Sequence, residues 1–220
     1  MRHILLIPLQ IRVFLVGCGG IGVEVLNALQ HVPKLKYLAM VDLDTVEVSN
    51  LSRQYIFTPE DVGKSKVAAC ARFMARQRPD VEVVQYVRDV TSDFFTVEFI
   101  GQFDYVLNAL DNLGARKAVS NLVFVHNLIQ RRKSPDTARF VTLIDIGTEG
   151  LGGSVSFHRN TEKAFVCCRT QQKAEPIPVC TLRSKPTQFK HCVAFAKYLL
   201  ERVFGGASNE LTDFSPISEG

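Results

Sequence analysis

The chain has 220 residues, enough to bury a substantial core as one large domain or one and a half smaller ones. Hydrophobic residues make up 46% and charged residues 22%, which places it with ordinary soluble globular proteins. The formal net charge of +4 suits an anionic small ligand or an acidic partner, and is too diffuse to argue for nucleic acid.

Residues 1–9 have the faint look of a signal peptide, but Pro8, Gln10 and Arg12 interrupt the apolar run and no small-residue cleavage site precedes the glycine-rich turn. No other stretch approaches the ~20 apolar residues that span a bilayer, so no membrane is expected and the location expected is nucleus or cytoplasm. The six cysteines are scattered, which points to a reduced compartment with individual thiol roles.

In chain order, Arg12–Val16 reads as a short buried strand. It is followed by a glycine turn and then a helix over Ile21–Gln30, with Ile21, Val25, Ala28 and Leu29 on one face. Tyr37–Val41 is a second apolar strand ending at Asp42 and Asp44. Strand, glycine turn, helix and strand make a βαβ unit, so the fold class expected is α/β, Rossmann-like, with a mainly parallel sheet. Thr58-Pro59-Glu60-Asp61 supplies an N-cap, a proline at the first helical position and acids in the first turn, predicting a helix from there to about Arg76. Val81–Val87 and Asp104–Asn108 read as strands, Gly114–Gln130 as a helix, and Arg131–Arg139 as a solvated basic connector. Val141–Ile146 returns to strand, and Gly150, Gly152 and Gly153 mark a turn before Ser154–His158. Beyond Glu162 the pattern becomes irregular around Cys167, Cys168 and Cys180, until Thr187 caps a helix to Phe204. The domain boundaries expected are 1–162 for nucleotide binding, 163–206 for a cysteine-bearing region and 207–220 for a polar tail.

The chemistry centres on Gly17-Cys18-Gly19-Gly20-Ile21-Gly22. Gly17 and Gly19 allow a tight turn and close approach to a phosphate, Gly22 allows close helix–sheet packing, and the helix start offers unpaired N–H groups. Asp42 lies where an acid binds a ribose hydroxyl, a placement that serves dinucleotides and ATP alike. Residues further along the chain discriminate between the two: Asn50, Arg53, Lys64 and Lys66, then Asp111-Asn112 and Arg116 after a buried strand. Cations for phosphates and a strand-end carboxylate for a metal are what ATP with Mg²⁺ requires, whereas nothing announces a site for a nicotinamide.

The segments G-C-G-G-I-G, D-L-D-T-V-E-V-S-N-L-S-R-Q, V-G-K-S-K, N-A-L-D-N and C-T-L-R-S-K-P resemble the adenylating domain of activating enzymes for ubiquitin-like proteins. The closing H-C-V-A-F-A-K-Y-L-L-E-R-V-F-G is most similar to the catalytic subunit of the SUMO branch. The resemblance runs from about Arg12 to Gly205. It implies that Gly17, Cys18, Gly19, Gly20, Ile21 and Gly22 hold the ATP phosphates and that Asp42 binds the ribose. It further implies that Asn50, Arg53 and Lys66 contact the nucleotide, Arg53 and Lys66 through its phosphates, and that Asp111 binds Mg²⁺ with Asn112 and Arg116 nearby. Cys180 matches the cysteine that accepts the activated modifier as a thioester, with Arg183, Lys185 and the helix start near Thr187 placed to support a thiolate. The partners implied are a SUMO-like modifier, a non-catalytic activating-enzyme subunit as heterodimer partner, and a conjugating enzyme recruited by segments beyond this chain.

The chain departs from the family pattern in four places. Cys168 matches the second ligand of a Zn²⁺-binding C-x-x-C pair, but the first falls on Phe165, which weighs against zinc. Leu113 stands where the family has a further arginine, and Arg131–Arg139 looks like an insertion. Family members also continue well past the equivalent of Gly220, so the chain reads as a fragment, an incomplete gene model or a shortened relative. Three other functions stay open: a non-catalytic nucleotide- or partner-binding relative, a sulfur-carrier adenylyltransferase and, last, an NAD-dependent oxidoreductase.

Overall fold

The structure is a computed structural model that describes residues 10–133, 137–149 and 152–159, with Phe189, Cys192, Val193, Phe195 and Ala196. The chain divides into two compact units, Met1–Gly147 with Ser154–Gln171 and Thr148–Gly153 with Gln172–Gly220. In the second unit the five described residues beyond 171 are all helical, inside the helix expected from Thr187 to Phe204. No helix among the described residues is long and apolar enough to cross a membrane.

The elements are β1 (Ile11–Val16), α1 (Gly20–Leu29), β2 (Leu35–Val41), α2 (Lys66–Gln77), β3 (Glu82–Tyr86), α3 (Val97–Ile100), β4 (Tyr105–Asn108), α4 (Leu113–Gln130), β5 (Thr142–Glu149) and β6 (Gly152–His158). They build a six-stranded sheet in the order β3-β2-β1-β4-β5-β6. The pairs β1–β2, β2–β3, β1–β4 and β4–β5 are parallel. This is the Rossmann-like α/β fold that the sequence predicts. Chain order reverses between β2 and β4 on either side of β1, and at such a reversal a crevice opens beyond the carboxyl ends of the strands.

The central strand explains why both faces are covered. Val13 and Leu15 point into a core with Val23, Leu26 and Leu29 of α1 and Val67, Cys70 and Met74 of α2. Phe14 and Val16 point the other way, against Ile100 of α3 and Val119 and Val123 of α4. An apolar run with no polar face can satisfy its alternation only when helices lie on both sides. On the second face the rings of Phe95 and Phe103 stack on Phe14 at 5.7 and 5.1 Å, with Phe99 edge-on at 5.2 Å. The four-residue α3 that carries Phe99 is absent from the predicted elements, being too short to show a helical period. Its start is marked instead by the Thr96 hydroxyl, which accepts from the Phe99 N–H at 3.2 Å.

One expectation is corrected. The helix predicted from Thr58 to about Arg76 is two pieces, a single 3₁₀ turn at Pro59–Asp61 and then α2. The buried Asp61 carboxylate turns back to accept from the Thr58 N–H and hydroxyl at 3.0 and 3.1 Å, and it pairs with Arg72 of α2. Val62 is extended and Gly63 takes φ +83, so the chain leaves the turn and restarts. The acids that look like a first helical turn therefore close a separate one.

On the other flank, the connector after α4 is anchored by Asn127. Its buried carboxamide donates to the Val141 carbonyl at 2.8 Å and accepts from the Val141 N–H at 2.9 Å, as a strand neighbour would. Removing that group orphans two buried backbone atoms. Asn127→Ala is expected to lower the unfolding free energy by about 2–3 kcal/mol, read by urea denaturation; a loss under about 0.5 kcal/mol would contradict this assignment.

Candidate functional site

The residues singled out in the sequence lie in loops and first helical turns at the carboxyl ends of the strands. Gly17–Gly19 connect β1 to α1 and Gly20–Gly22 open that helix, Asp42 follows β2, and Asn50 and Arg53 lie in and just after the 3₁₀ turn Val48–Asn50. Lys66 is the first residue of α2, Asp111 and Asn112 lie between β4 and α4, and Arg116 is in the first turn of α4. Cys180 and Cys168 fall outside the described residues.

Steric constraint shapes the glycine loop. Gly17 has φ +95, and a Cβ there would lie 2.8 Å from the Ala109 carbonyl oxygen beyond β4. A Cβ on Gly22 would lie 2.1 Å from the Gly17 carbonyl oxygen, so α1 is seated directly against the loop. At Gly19 and Gly20, by contrast, an added Cβ meets nothing within 4 Å. Gly19 is the N-cap of α1 and supplies no capping side chain, and the first turn contains no acid. Two closed glycines thus hold an open, positively polarised helix start, the arrangement that takes an anionic oxygen.

Cys18 behaves differently from its neighbours. Its N–H donates to Asp42 Oδ2 at 2.6 Å. Its thiol is fully buried, and hydrogen bonding to Cys70 together with burial pushes its pKa well above the ordinary thiol range. This position ties the loop down and offers no nucleophile. The other Asp42 oxygen accepts from the Asp44 N–H at 2.7 Å. Burial raises the Asp42 pKa, and those two N–H groups only partly offset it. Each carboxylate oxygen keeps a second lone pair, so a hydroxyl donor can still be received.

The cations are held in distinct ways. Lys66 Nζ lies 2.8 Å from Asp44 Oδ2. Arg53 is exposed and donates through Nη1 to the Ser49 carbonyl at 2.7 Å. Arg116 donates from Nε to Asp145 Oδ1 at 3.2 Å and from Nη2 to the Ile146 carbonyl at 2.6 Å, so β5 fixes its direction. Gly147 makes room for that guanidinium, since a Cβ would lie 3.0 Å from Nη2. Buried Asn50 accepts from the Glu47 N–H at 2.9 Å, and Asn112 caps α4 by accepting from the Gly114 N–H at 2.8 Å. Both asparagines hold backbone in place.

Asp111 is exposed in the link between β4 and α4. A single carboxylate fits Mg²⁺ delivered with a nucleotide, because that ion takes most of its oxygens from phosphates and water. Among the described residues no group of three or more His, Cys, Asp or Glu side chains is arranged to hold a metal, and Cys168 is not among them. The fold also brings forward two residues that lie inside the quoted motifs but were given no role there. Asn108 ends β4 wholly buried with neither side-chain polar atom bonded within the protein, and Gln54 Oε1 is likewise buried and unpartnered. Buried amide groups left open in this way are commonly completed by water or ligand atoms. The sequence signal for Asn108 is a polar residue closing the apolar run before Asp111.

A family model described as the ThiF family matches residues 9–205, and the chain belongs to that family. It is 34% identical over 209 residues to SUMO-activating enzyme subunit 2 of Dictyostelium discoideum, covering 92% of this chain and 30% of that protein. It is 32% identical to SUMO-activating enzyme subunit uba-2 of Caenorhabditis elegans, over 89% of this chain and 31% of that protein. Against the NEDD8-activating enzyme E1 catalytic subunit of Saccharomyces cerevisiae the identity is 28%, over 84% and 60%. The chain therefore spans about a third of the length of the first two relatives. Among solved structures, E. coli MccB with ATP superposes with TM-score 0.50 at 21% identity over 63% of this chain and 38% of that one, a likeness of fold.

The contrast among the glycines is directly testable. Gly22→Ala is expected to destabilise the chain by at least about 2 kcal/mol, and Gly19→Ala by no more than about 1 kcal/mol, in parallel thermal melts. Equal losses would show that the loop is not packed as described.

Proposed function

We propose that this ThiF-family chain carries the adenylation site of an activating enzyme for a ubiquitin-like modifier, SUMO-like in preference to other branches. The observation that carries the reading is the open, uncapped start of α1 at the strand-order reversal, with Lys66, Arg53 and Arg116 on the elements around it. The family match and the names of the relatives support the modifier class, and their description as subunits supports a partner subunit. A sulfur-carrier adenylyltransferase would use the same loop, and the choice of carrier substrate separates the two.

The chemistry stems from the placement. The modifier's C-terminal carboxylate is already ionised, so the first step needs alignment and charge neutralisation more than a base. A carboxylate oxygen attacks the α-phosphorus, the bond to the β-phosphate oxygen breaks, and pyrophosphate leaves, with no net proton transfer. The α1 N-terminus and Gly19 receive a phosphate, while Lys66 and Arg53 offset its charge. Asp111 would hold Mg²⁺, which when bound neutralises phosphate charge. Asp42 accepts from a ribose hydroxyl. The thiolate of Cys180, having released its proton, then attacks the acyl carbon and AMP leaves, giving a thioester.

The test combines this chain with a SUMO-like modifier and the non-catalytic subunit, and reads ATP–pyrophosphate exchange and a reducing-agent-sensitive adduct. Lys66→Ala is expected to lower exchange at least about tenfold, the loss of one charge-assisted phosphate contact. Cys180→Ala should retain exchange and lose the adduct. Exchange supported only by a sulfur-carrier protein, or by no carrier at all, would sink the proposal.

A further inference from the structure

Lys66 stands where a cation is not at home. It is the first residue of α2, beside the positive end of the helix dipole, on a flexible four-carbon stem. Its side chain is nonetheless mostly covered, 12% exposed, while its partner Asp44 is 68% exposed. An ordinary surface ion pair with both ends in solvent contributes little, and here one end is fixed.

Asp44 is gripped at three points. Its N–H donates to Asp42 Oδ1 at 2.7 Å, its carbonyl accepts from the Lys66 N–H at 3.0 Å, and its Oδ2 receives Lys66 Nζ at 2.8 Å. The residues beside it are stitched to the approach to α2 as well. The Val46 N–H donates to the Lys64 carbonyl and the Gly63 N–H to the Val46 carbonyl, both at 2.8 Å, and Thr45 bridges Ser65. Through Asp42, which accepts from the Cys18 N–H at 2.6 Å, the same chain of bonds reaches the glycine loop. Backbone and side chain of one residue thus set both where α2 begins and where its first side chain points.

We infer that Asp44 is a positioning residue that aims the Lys66 ammonium and couples it, through Asp42, to the glycine loop, so that loop and ammonium meet a nucleotide phosphate as one unit. The inference rests on the reading of Lys66 as a phosphate ligand. Asp44 itself is a like charge toward phosphate, so it does not attract the phosphate directly, and the cation it holds here is Lys66.

The experiment is a titration of the chain with a fluorescent ATP analogue and Mg²⁺, using Asp44→Asn, Asp44→Ala, Lys66→Ala and the double variant Asp44→Ala/Lys66→Ala. Asp44→Asn keeps shape and an acceptor oxygen and loses only the charge, which guards against misfolding of the alanine variant. Both Asp44 variants are expected to weaken binding about tenfold with melting temperatures near wild type, and the double variant to bind no more weakly than Lys66→Ala alone. A merely structural Asp44 would give additive losses, and that result overturns the inference. So does wild-type affinity in both Asp44 variants while Lys66→Ala is weakened. Wild-type affinity in Lys66→Ala would instead remove the phosphate role of Lys66, and the inference with it.

Discussion

Everything at the crevice depends on a contact with no side chain in it. The backbone of the glycine loop passes so near the Ala109 carbonyl, and α1 so near the Gly17 carbonyl, that a methyl group fits at neither Gly17 nor Gly22. That approach seats α1 with its first turn directly over the point where strand order reverses, between β1 and β4. The direction of the helix dipole, the opening at Gly19 and Gly20, and the anchoring of Asp42 to the loop all derive from it.

Around that backbone frame the charged groups are arranged unequally. Asp42 is used inward, receiving two N–H groups, and burial then works against its ionisation. Asp111 is left outward and exposed. The cations are aimed by carboxylate, carbonyl or both: Lys66 by Asp44, Arg53 by Ser49, Arg116 by Asp145 and Ile146. A guanidinium or ammonium so held meets an anion with less reorganisation than one swinging in solvent.

The legible part of this molecule is its period and its punctuation. The alternation of Val13, Phe14, Leu15 and Val16, the glycines behind them, and the apolar faces of α1 and α4 carry the fold class and most element boundaries. The candidate site residues are legible as types in order along the chain, because a parallel sheet delivers strand ends to one side. What stays hidden depends on partners distant in sequence. That Arg116 is bound to Asp145, or that Asn127 acts as a strand neighbour for Val141, has no local pattern. Asp61 misleads because its capping bond closes one turn as readily as it opens a helix. Asp44 is visible in the D-x-D spacing, but its link to Lys66 needs the fold to bring residues 22 positions apart together.

The two bonds that α4 makes to β5 and its approach have a mechanical meaning. Asn127 fastens the helix near its C-terminal end to Val141, and Arg116 fastens its first turn to Asp145 and Ile146. Anchors at two separated points oppose a tilt of α4, since a tilt would have to break the bonds at one end or the other. Asp111 and Asn112 sit just before the anchored first turn. An adjustment there that keeps both anchors bends the short link after β4 and leaves the helix untilted.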